Sequence, residues 1–140
     1  MAAREQRAEV RAAELREARR DIYVQFLSDA IAVAAKIRQV AWSPETDDAE
    51  FAQLQVSTRA ALNELVPTLV QVTLEGPTEV SDAAGKVRDA LRSELDVCAE
   101  VYRKAMPRST LVDASEARRG AVGAMGGAAR KALGGDLPSA

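Results

Sequence analysis

Three observations predict an all-α fold for this chain. Apolar residues recur at helical spacing in successive long stretches, alanine fills 28 of the 140 positions, and no β-branched run alternates with polar residues over a strand's length. The architecture predicted is an elongated, coiled-coil-like antiparallel up-down bundle of three long helices plus a shorter fourth, crossing at about 20°. One domain is expected over residues 1–135, with 1–14 a projecting charged helix end and 136–140 a disordered tail. Aromatic residues make up only 4% of the chain. Helices can then approach closely, but each residue buries little area. At roughly 25 cal/mol per Å² of apolar surface, stability depends on long contacts.

The first helix is read over Arg4 to Ala41, in two unlike halves. Its second half carries Tyr23, Phe26, Ala30, Val33, Ile37 and Val40, a seam of alternating three- and four-residue steps. Its first half keeps only a thin stripe of Ala8, Ala12, Leu15 and Ala18 among charges. Trp42-Ser43-Pro44 breaks the pattern, and Asp47 with Glu50 three residues on is a capping-box-like restart.

The second helix shows Phe51, Leu54, Thr58, Ala61, Leu65, Leu69 and Val72 on one face. Pro67 sits inside it and deprives the Asn63 carbonyl of its normal donor. Two readings follow for the stretch after Pro67: a kinked helix, or an extended segment over Thr68 to Glu75. The kinked helix is preferred because no second strand exists to pair with.

Leu74-Glu75-Gly76-Pro77-Thr78-Glu79-Val80 joins a helix stop to a helix start. Pro77 suits a first-turn position, where its missing N–H costs nothing. Val80, Ala84, Val87, Leu91, Leu95, Cys98, Val101 or Tyr102, and Ala105 continue the seam. Met106-Pro107-Arg108-Ser109-Thr110 is the next break. A weaker fourth helix is expected from Leu111 to Leu133, ended by Gly134-Gly135.

At 1.5 Å per residue the second and third helices are each roughly 40 Å long and the first nearer 60 Å. Antiparallel packing across Trp42–Asp48 would end the second helix about level with Leu15. The first dozen residues should therefore overhang the bundle.

Several function classes lose weight on composition. Nineteen basic and 21 acidic residues nearly cancel to a net charge of −2, without the basic excess that nucleic-acid or anionic-membrane surfaces usually carry. Histidine is absent, which removes the commonest general base and transition-metal ligand. The single cysteine, Cys98, cannot form an intrachain disulfide, so a reducing, cytoplasmic setting is expected. Nothing resembles a signal peptide's apolar region or a membrane span of about 20 apolar residues.

The charged overhang is the main candidate surface, with Arg4, Arg7, Arg11, Glu14, Arg16 and Arg20 as candidate partner contacts. Its bland alternative is a solvated helix end with ion pairs such as Arg11–Glu14, each worth only tenths of a kcal/mol. Glu45, Asp47, Asp48 and Glu50 lack EF-hand spacing and read as helix-dipole acids rather than a metal site. Cys98 lies on the apolar seam with no group to activate it, and reads as a structural thiol. Gly120, Gly123, Gly126 and Gly127 lack the Gly-Lys-Ser/Thr ending of a phosphate loop. They fit either close helix–helix approach or a weak, mobile helix. Glu64 and Glu94 lie nearest the seams, yet both can point to solvent. Trp42 is expected to cap the end of the core. Its turn lacks the glycine of the small secreted helical hairpins with a Trp-x-Gly turn, and that family is set aside.

The chain resembles uncharacterised actinobacterial helical-bundle proteins. The resemblance rests on an Arg/Glu-rich first helix leading into Tyr23, Phe26 and Leu27. It continues in a Leu-x-Gly-Pro-x-x-Val junction (Leu74, Gly76, Pro77, Val80) followed by Ala83 and Ala84. It closes on Ala128, Ala129, Arg130, Leu133 and Gly134. Met125 stands where such sequences often place a Phe. The resemblance covers most of the chain, implies a long antiparallel bundle and carries no activity with it.

The function predicted is a non-catalytic protein-interaction or scaffold bundle, without cofactor or metal, that binds a protein partner or self-associates through its first helix. Two alternatives belong to other classes. One is a small regulator contacting nucleic acid through the six Arg in the charged first half of the first helix, opposed there by four Glu and one Asp. The other is a ligand-binding bundle, which needs buried carboxylates around an enclosed pocket.

Overall fold

The computed structural model describes residues 2–41 and 47–134. Four helices account for nearly all of them: α1 (Ala2–Ala41), α2 (Asp48–Glu75), α3 (Thr78–Tyr102) and α4 (Arg108–Ala132). The described residues include no strand, and no described helix is long and apolar enough to cross a membrane. Trp42, Glu45 and the segment 136–140 lie outside the described residues, and with them the expectations attached to them.

Helix ends follow local chemistry. Asp47 caps α2, its carboxylate accepting from the Glu50 N–H at 2.8 Å. Gly76 ends α2 at φ +60, a conformation costly to any residue with a Cβ, and its N–H reaches the Val72 carbonyl at 3.0 Å. Pro77 follows through a cis peptide as the N-cap of α3. Pro107 is likewise the N-cap residue of α4. α2 runs unbroken through Pro67, so the stretch after it is helical and the extended alternative is excluded.

The core is the apolar seam of each helix. All six seam residues expected of α1, Tyr23, Phe26, Ala30, Val33, Ile37 and Val40, are buried, with Ala34 beside them. α2 adds Phe51, Leu62, Leu65 and Val72. α3 adds Val80, Ala84, Val87, Leu91, Leu95 and Cys98. α4 contributes Leu111, Met125 and Ala129 and packs mainly on α3, touching α1 little. It has the same 25-residue length as α3, starting at Arg108 rather than Leu111.

One level along the bundle differs from expectation. The α2–α3 junction lies beside Arg19 and Tyr23, not Leu15. The Tyr23 hydroxyl donates to the Gly76 carbonyl, Arg19 faces Glu75 at 3.8 Å, and the Thr68 hydroxyl donates to Asp29 at 3.3 Å. With these pairings fixed, the start of α2 extends about two turns beyond the end of α1. That extension packs on the end of α3 instead. Phe51 stacks on Tyr102 with ring centroids 3.7 Å apart, and the Tyr102 hydroxyl donates to Asp48.

Candidate interaction surface

α1 continues past the core as a bare helix. Every residue from 2 to 18 is exposed, and the first fully buried residue is Tyr23. The sequence explains the contrast. Only Ala8, Ala12, Leu15 and Ala18 extend the core-facing stripe, and three alanines and one leucine hold no neighbouring helix. Leu15 is 51% exposed.

The six candidate contacts, Arg4, Arg7, Arg11, Glu14, Arg16 and Arg20, all lie on this projecting half and all are exposed. Arg4, Arg7 and Arg11 share one side of the helix at three- and four-residue steps. Arg16 and Arg20 take another side, where α4 ends. There Ala13, Arg16, Glu17, Arg20 and Leu133 line a groove of about 400 Å³. The surface is therefore mixed in charge, not a basic stripe.

A second set of exposed residues was not singled out from the sequence. Val10, Val24 and Ile31 are 54%, 45% and 58% exposed on the outer face of α1. With Glu17 they fall seven residues apart, so all four share one side of the helix. Their spacing was legible, but the stronger core seam of the same helix masked it.

Inside the core the structure corrects one reading. Glu94 is 1% exposed and Arg118 6% exposed, so Glu94 does not face solvent. Glu64, its companion in that reading, is exposed. The Arg118 Nε donates to Glu94 Oε2 at 2.7 Å, while Arg118 Nη2 is buried with no hydrogen-bond partner among the described residues. Arg118 sits midway between Leu111 and Met125, seven residues from each, and thus fills a core slot of α4. Cys98, one turn along α3 from Glu94, has its thiol pushed up to about 12 by burial and then by the Glu94 carboxylate. At neutral pH the thiol therefore keeps its proton.

A solvent-open groove of about 710 Å³ between α2 and α3 is lined by Gln55, Arg59, Asn63, Asp96, Glu100 and Arg103 among others, with the Arg59–Asp96 pair at 3.1 Å on its wall. Among the described residues no cluster of three or more His, Cys, Asp or Glu could hold a metal ion. Asp47 and Asp48 are engaged in the helix cap and the Tyr102 contact. The glycines of α4 make no close approach: a Cβ built at Gly120, Gly123, Gly126 or Gly127 meets nothing within 4 Å. Comparison with protein-family models, curated proteins and solved structures finds no match to the chain.

Proposed function

We propose that the chain is a non-catalytic interaction or scaffold bundle that holds the charged first half of α1 clear of its core and offers it to a protein partner. The observation that carries this reading is the full exposure of residues 2–18 on a helix continuous with the buried half of α1. An isolated helix of that length is marginal in water, so its continuity with a packed helix supports its order. Balanced Arg and Glu favour a partner of mixed charge over a polyanion. A reducing, cytoplasmic setting fits the lone buried thiol.

Affinity purification from the native host, with the full chain and with a chain lacking residues 1–14, tests the reading. A partner captured by the full chain and lost with the truncation supports it. An identical set captured by both contradicts it. Salt-dependent binding to random duplex DNA that disappears in the truncated chain would favour the nucleic-acid alternative instead.

A further inference from the structure

The outer face of α1 carries a second seam, distinct from the one that builds the core. Ala3, Gln6, Val10, Ala13, Glu17, Arg20, Val24, Leu27 and Ile31 follow one another at alternating three- and four-residue steps. All are exposed except Leu27, which is half-buried. Three of the large apolar residues that the fold leaves in solvent, Val10, Val24 and Ile31, lie on it in phase. α4 approaches α1 only weakly, and at its end Leu133 lines one wall of the groove at Ala13, Glu17 and Arg20 that runs along this face.

The seam is self-complementary when reversed. In an antiparallel pair of identical helices, residues whose numbers sum to a constant lie at the same level. For a sum of 37, Val10 meets the partner's Leu27 and Ala13 meets the partner's Val24. Glu17 then meets the partner's Arg20, and the two-fold axis repeats each contact. Apolar layers flank a central layer of two Glu–Arg pairs, and Arg20 lies within a turn of the partner's Glu14 as well. We infer that two copies of this chain pair antiparallel through the outer face of α1, with the symmetry axis between Ala18 and Arg19. The bundles then lie on opposite sides of the pair, because α2 and α3 cover the other face of α1.

This deepens the interaction reading and rests on it, naming the partner as a second copy and extending the contact to Val24 and Ile31. A pairing of the projecting halves alone would leave those two residues in solvent. The central Glu–Arg layer selects register and direction, as a polar layer in an apolar seam does.

Sedimentation equilibrium on the full chain provides the test, with circular dichroism confirming that each variant folds. Glu17→Arg and Arg20→Glu are each expected to weaken dimerisation by about tenfold or more, and the double exchange to restore it. Ile31→Arg, far from the projecting half, is expected to weaken it as strongly. A chain carrying Ala13→Cys with Val24→Cys should oxidise to a covalent dimer, whereas Ala13→Cys alone should not.

A full chain that stays monomeric at near-millimolar concentration overturns the second copy while leaving a different protein partner open to the capture experiment. A dimer lost on truncating residues 1–14 but indifferent to Ile31→Arg and to the Glu17/Arg20 exchange overturns this surface and keeps the projecting half. Efficient cross-linking of Ala13→Cys alone shows a parallel pair and overturns the antiparallel arrangement.

Discussion

Arg118 and Glu94 meet across 2.7 Å at the centre of the α3–α4 contact, in a core that is otherwise almost wholly apolar. Removing one partner leaves a buried charge without compensation, at a cost of about 3–5 kcal/mol. Glu94→Leu or Arg118→Met alone should therefore lower the urea midpoint sharply. Making both changes together should restore most of the loss or exceed the original stability, because the pair leaves Arg118 Nη2 unsatisfied. A double-mutant cycle measures the coupling directly. If each single change costs under 1 kcal/mol, the pair is not buried as described.

Cys98 should resist alkylation in the folded protein. With its thiol at about 12 instead of the ordinary 9.0, the thiolate fraction at pH 8 falls by about a thousandfold before access is considered. Iodoacetamide labelling should accordingly track unfolding. The linkage follows from the same shift. The unfolded chain loses this proton near pH 9 and the folded chain near 12, so stability declines across that window as pH rises. Cys98→Ala should flatten that decline.

Gly120, Gly123 and Gly127 weaken α4 without serving its packing on α3. All three are exposed, and each has open space where a methyl group would sit. Replacing each with Ala should stabilise the protein by about 0.5–1 kcal/mol, chiefly through the unfolded chain's entropy. Loss of stability in thermal melts would mean that the ridge packs against something beyond this chain.

Tyr23 ties the core of α1 to the α2–α3 junction through the Gly76 carbonyl. Tyr23→Phe keeps the packing and should cost about 1 kcal/mol. The half-exposed Arg19–Glu75 pair beside it is worth much less, and Arg19→Ala should change stability by under about 0.5 kcal/mol.

The elements that sequence revealed are those whose signal is periodic. The buried face of α1 was readable residue by residue, since its apolar positions repeat without interruption from Tyr23 to Val40. The Gly76-Pro77 junction was equally plain, because a left-handed glycine and an N-cap proline each have a local cause. The level of that junction was not. A hairpin with flush ends was assumed, whereas Phe51 and Asp48 find their partner in Tyr102 on α3, which displaces α2 along α1. Glu94 and Arg118 escaped for a different reason. A charged residue on a seam looks like a boundary of the apolar face until its opposite is found on the neighbouring helix. The Leu111–Arg118–Met125 spacing held the clue.

In the proposed dimer, α1 has one face covered within the chain and another covered by a second copy. Hydrogen exchange read by mass spectrometry, at low micromolar and near-millimolar protein, tests this most directly. Amides of residues 2–18, which have no tertiary cover in one copy, should exchange rapidly when dilute and become protected at high concentration, while those of α3 stay unchanged. Equal exchange of residues 2–18 at both concentrations would contradict it.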